Sequence, residues 1–135
     1  MKSIYLLCAD GIVIDRRTNN VSLFNVVEEI NSVGFPLLIN KLYAICLMNR
    51  EVHDEDMTDA HFEFKLDNKV LLKANTSINF QQKQRTRVVL EVSGLVIPVP
   101  GTLKVSLLRD GEVIACNEIE IHKIDKTSTV SKTIN

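Results

Sequence analysis

His61-Phe62-Glu63-Phe64-Lys65-Leu66-Asp67 alternates strictly: Phe62, Phe64 and Leu66 are apolar, while Glu63, Lys65 and Asp67 are charged. Successive side chains of a strand point to opposite faces, so this period of two is the mark of a half-buried strand. The same alternation returns with Leu103, Val105 and Leu107 set between Thr102, Lys104 and Ser106, and with Ile119 and Ile121 set between Glu118, Glu120 and His122. Asp67-Asn68 and Asp110-Gly111 follow or precede these runs as turns, the second being a strong hairpin signal because both residues tolerate positive φ.

Other runs are apolar on both faces: 12–14, 42–48, 70–72 and 88–92. They are short and rich in β-branched residues, the pattern of central strands covered on both sides. Thr18-Asn19-Asn20 turns the first strand back on the second. Ile97-Pro98-Val99-Pro100-Gly101 gives no ladder donor at its prolines, so it reads as an extended edge or a crossing segment. Leu23, Val26, Val27 and Ile30 fall at helical spacing although 21–27 is also a fair strand. The expectation there is a strand ending in a short helical turn near 28–31. The sum is an all-β fold of about eight or nine mostly antiparallel strands, a sandwich or a barrel, of which a two-sheet sandwich is the expectation. One domain is expected over 1–124, with a polar tail over 125–135 that frays unless a partner holds it.

The totals narrow the classes. A chain of 135 residues is one domain by length, and its 45% apolar content argues against disorder. With 16 basic against 17 acidic residues, no long-range field draws the molecule to nucleic acid or anionic membrane. Cys8, Cys46 and Cys116 are odd in number and form no C-x-x-C pair, which fits buried free thiols of a cytoplasmic protein. Cys46 and Cys116 both follow apolar residues and read as small core hydrophobes. The N-terminal apolar stretch stops at Asp10, too short for an export signal, and no run approaches the roughly 20 residues of a membrane span.

The densest polar cluster is 51–61, where His53, Asp54, Asp56, Asp59 and His61 are the candidate ligands of a divalent cation. Its spacing matches no established metal loop, and its plain reading is a solvated acidic connection between strands. The glutamine-rich basic stretch Gln81-Gln82-Lys83-Gln84-Arg85-Thr86-Arg87 lacks the exposed aromatics that a single-strand reader stacks bases upon. It reads as a loop and strand edge. No G-x-S-x-G elbow occurs and three scattered histidines build no multi-histidine metal centre. Neither a catalytic residue nor a cofactor is expected.

Cys8-Ala9-Asp10, Val21-Ser22-Leu23-Phe24-Asn25-Val26-Val27, Phe35-Pro36, Ile97-Pro98-Val99-Pro100-Gly101 and Asp110-Gly111 together resemble a family of small bacterial β-sandwich proteins of unknown function. The resemblance runs from about Ile4 to Ile121. It implies an immunoglobulin-like sandwich of bacterial or phage source and transfers no activity.

Two functions from different classes remain. The first is a non-enzymatic protein-interaction or scaffold module, such as an accessory subunit of a larger bacterial or phage assembly, because sandwich edges invite strand addition. A protein partner or self-association is then expected, at 97–101 or at 130–134, with no membrane or nucleic acid. The second is a small-ligand or divalent-ion module using the acidic loop 51–61.

Overall fold

A computed structural model describes residues 1–125. Over them the chain forms nine strands and no helix: β1 (Lys2–Ile14), β2 (Val21–Val26), β3 (Glu29–Ser32), β4 (Leu37–Asn49), β5 (Met57–Leu66), β6 (Lys69–Asn79), β7 (Arg85–Ile97), β8 (Gly101–Arg109) and β9 (Glu112–Lys123). They make two sheets, β2-β1-β4-β7 and β3-β9-β8-β5-β6, which pack as a sandwich. The expected domain boundary at 124 leaves only Asp125 of the expected tail within view; 126–135, including 130–134, lie outside the described residues.

Period two sets the core. Phe62 and Phe64 of β5, Leu103 and Leu107 of β8, and Ile119 of β9 have no exposed surface. They meet Leu42, Ala44, Cys46 and Met48 of β4 in one apolar cluster. Each such large side chain contributes about 1.5–3 kcal/mol by leaving water. The turns follow their residues: Asp110 and Gly111 both hold positive φ, 52° and 77°, as a two-residue hairpin with right-handed strand twist requires. Asp67, at φ 50°, turns β5 into β6, and its carboxylate accepts the Thr102 N–H at 3.1 Å. The segment 98–100 crosses from β7 in one sheet to β8 in the other.

Several expectations are corrected. No helical turn forms at 28–31; Glu29–Ser32 is β3, which pairs parallel with β9. Leu23, Val26, Val27 and Ile30 mimic helical spacing because they belong to β2, a connection and β3. Of the two-faced runs, only 42–48 sits in the middle of a sheet and is largely buried throughout. Runs 70–72 and 88–92 lie on β6 and β7, both edge strands, and Val13 and Ile14 of the first run are exposed. Cys116 is exposed: the alternation of Ile119 and Ile121, carried back along β9, puts it on the outer face with Glu118.

Candidate interaction surface

β1 changes partner part-way. Up to Ala9 it lies along β4, and from Ala9 onward it lies along β2. Tyr5 is opposite Leu47, so a straight β1 would carry Ile14 roughly 30 Å past Leu47 at about 3.3 Å per residue. Instead Ile14 and Asn19 line one cleft of about 480 Å³ with Leu47 and Val89. The β1–β2 hairpin therefore doubles back over the outer face of the four-stranded sheet. Arg87 of β7 fastens its tip, donating to Asn19 Oδ1 at 3.2 Å and to the Asn19 carbonyl.

This arm explains an otherwise odd burial. Ile45 alternates with Ala44 and Cys46, which face the core, and so points away from it. Yet Ile45 has no exposed surface and lies outside the core cluster. Its cross-strand neighbours Leu7 and Val89 and the arm above cover it. The arm's far side stays open to solvent: Phe24, whose ring lies against Gly11 at 3.4 Å from a Cβ placed there, is 53% exposed.

The edges of the sheets differ in length. β2 has 6 residues and β3 has 4, while β6 has 11 and β7 has 13. An edge strand presents unpaired N–H and C=O groups, and lysines or prolines along it blunt that template. β6 carries Lys69 and Lys73. β7 carries neither lysine nor proline, and Val89 and Val96 on it are exposed. Gln81-Gln82-Lys83-Gln84 form the turn into this strand, so the basic stretch is indeed loop and strand edge.

The acidic cluster is divided by the fold. His53, Asp54 and Asp56 lie in the connection before β5, whereas Asp59 and His61 stand on the outer face of β5 itself. Asp54 accepts from the Met1 ammonium at 2.6 Å and the Glu51 N–H at 2.8 Å, and faces Arg109 at 3.5 Å. Burial pushes the Asp54 carboxyl up, but the hydrogen bonds from the ammonium, Glu51 and Arg109 outweigh it and hold the carboxyl below its usual range. Burial likewise pulls the ammonium down, and Asp54 and Glu51 more than restore it, so it sits above its ordinary value. Asp56 accepts from the Gln82 N–H at 2.6 Å and faces Arg50 at 3.4 Å, whose guanidinium also lies 5.7 Å from the Phe80 ring centre. These two carboxylates clasp the β4–β5 connection to the N-terminus and to the turns before β7 and β9. Among the described residues, no group of three or more His, Cys, Asp and Glu is placed to hold a metal ion. A cation here would first displace the chain's own.

Burial disfavours the thiolate of both inner cysteines: it pushes Cys8 up to about 12 and raises Cys46, against a smaller opposing effect of Ser3. Among the described residues, no helix is long and apolar enough to cross a membrane.

A model of a family of unknown function, DUF6941, matches residues 4–122. The chain belongs to that family. The matched span agrees with the resemblance read from the N-terminal and turn motifs, and it holds all of β2 to β8 and nearly all of β1 and β9. No curated protein matches this DUF6941 chain. Sequence reasoning missed β7 as the open edge, although its freedom from lysine and proline was in plain view; what lacked was knowledge of which strand ends the sheet.

Proposed function

We propose that this DUF6941 protein is a non-enzymatic interaction module of the cytoplasm, an accessory subunit of a bacterial or phage assembly that takes up a protein partner by strand addition. The observation that carries it is the 13-residue edge of β7, the longest edge strand and one without lysine or proline. Main-chain hydrogen bonds supply affinity in such pairing and alternate side chains supply selectivity. The strand order supports an immunoglobulin-like assignment: β1-β4-β7 over β9-β8-β5-β6 follows strands A-B-E over G-F-C-C′. Pairing through an edge strand suits such a frame because the inner faces are spent on the shared core and the four-stranded sheet's outer face lies under its own hairpin.

The test is capture from native lysate with tagged full-length protein, beside the variant Val89→Lys. Val89 is 40% exposed, so the fold tolerates the change, while a lysine blunts the edge. A stoichiometric partner held by the native protein and lost by the variant is the expected result. A strictly monomeric protein with no partner in its own cells would sink the proposal. Calcium or zinc raising the melting point, and failing to do so after His53→Ala and Asp56→Ala, would favour the ion-binding alternative instead.

A further inference from the structure

We infer that the strand added at β7 is β7 of a second copy, laid antiparallel about a two-fold axis through Val89; this rests on the interaction reading above and names its partner. Two independent features of β7 point to the same centre.

The first is charge. Along the outer face β7 presents Arg85, Arg87, Val89, Glu91 and Ser93 in alternation. Antiparallel pairing centred on Val89 sets Arg87 opposite Glu91 of the second copy, and Glu91 opposite its Arg87. Directly opposed side chains have Cβ atoms about 4.5–5.5 Å apart, within reach of an ion pair. Moving the axis to Leu90 sets Arg87 against Ser93, and moving it to Val88 sets Arg87 against Val89. On the other face, the Val89 axis places Val88 opposite Leu90 and Thr86 opposite Val92.

The second is length. β7 begins at Arg85, and Gly94 interrupts its regular course with φ 73°. The uninterrupted run is 85–93, whose midpoint is Val89. Nothing in the charge pattern required that coincidence. β6, the other long edge, has Lys69 and Lys73 and no acidic residue, so a second copy of β6 brings only like charges to it.

Both charged groups keep capacity for the second copy. Glu91 receives Lys41 on Oε1 at 3.0 Å, which leaves Oε2. Arg87 uses Nη1 and Nη2 on Asn19, and a guanidinium carries five donors. The product is one continuous eight-stranded sheet, two copies of β2-β1-β4-β7.

The experiment is sedimentation of full-length protein at low salt, alone and as charge-reversed variants. Native protein should dimerise. Arg87→Glu leaves only carboxylates at the two positions and Glu91→Arg only guanidiniums, so each variant repels itself and should dimerise at least about tenfold more weakly, the order of a close charge pair. An equimolar mixture of the two variants should form the dimer again, since one copy then offers both carboxylates and the other both guanidiniums. Misfolding, or release of the arm tip from Arg87, is not cured by mixing, so recovery supports this register alone. A native protein that stays monomeric overturns the two-fold pairing, and so does a dimer that both single variants keep. If that monomer nonetheless captures a different protein through the Val89 edge, the interaction reading stands and only the second copy is excluded.

Discussion

The two sheets share one core and turn opposite kinds of surface outward. On the five-stranded sheet Glu63 sits between Lys65 at 3.6 Å and Lys73 at 3.7 Å, Thr102 donates to Glu120 at 2.9 Å, and Lys104 is opposite Glu118. That face is finished in water. On the four-stranded sheet the equivalent outward positions hold Leu7, Ala9, Ile45, Leu47 and Val89, which water does not satisfy. The chain answers with its own hairpin, which lies over this face and buries Ile45 completely. The lesson is that a sheet's second face needs either charge or another layer, and the sheet whose outer face is apolar at its centre is also the one with the open edge at β7.

The largest expected loss comes where the comparison vanishes, in the core both sheets share. Phe64→Ala should destabilise by about 3–5 kcal/mol, read as the shift of a denaturant midpoint at unchanged slope. The outer faces then separate the sheets. Ile45→Ala should cost about 2–4 kcal/mol, although Ile45 is no part of the core cluster. Lys65→Ala, at an outward position of the other sheet, should stay within about 0.5 kcal/mol, since exposed ion pairs contribute little. Equal small losses at Ile45 and Lys65 would mean the arm does not cover the four-stranded face.

The inner faces were legible because they depend on local alternation alone: Phe62, Phe64, Leu103 and Ile119 announce their side of the strand within a few residues. Asp110-Gly111 was legible for a similar reason, the turn being written into φ preferences. The arm was not. Ile12, Val13 and Ile14 read as a strand with two apolar faces, and nothing near them says that β1 abandons β4 at Ala9 to double back. β3 was misread because four residues between connections give no alternation to count. In the acidic stretch the carboxylates were visible, but their partners Met1, Arg50, Gln82 and Arg109 come from four separate places in the chain. Charge is local in sequence; its neutralisation is a property of the fold. The two-fold pattern of Arg87, Val89 and Glu91 was equally visible, and acquired meaning only once β7 proved to be an edge.

The last effect, smaller than the core loss, tests the place where one sheet hands over to the other, the connection between β4 and β5. Asp54→Asn removes a charged acceptor from the Met1 ammonium and from Arg109 and should cost about 2 kcal/mol, the scale of a hydrogen bond to a charged group. Its signature is the pH dependence. The Asp54 carboxyl titrates lower in the folded protein than its unfolded value of about 3.9, so its contribution is present above that pH and is lost as pH falls through the lower folded value. The ammonium titrates higher when folded than its unfolded value of about 8, so its share is complete below that pH and is lost as pH rises past the higher folded value. The stability gap between native protein and Asp54→Asn should therefore be widest between about pH 4 and pH 8 and narrow on both sides. A gap that stays constant from acid to alkali would show that the carboxyl holds this connection without its charge. The ionic part of the handover would then rest on the Asp56 contact with Arg50.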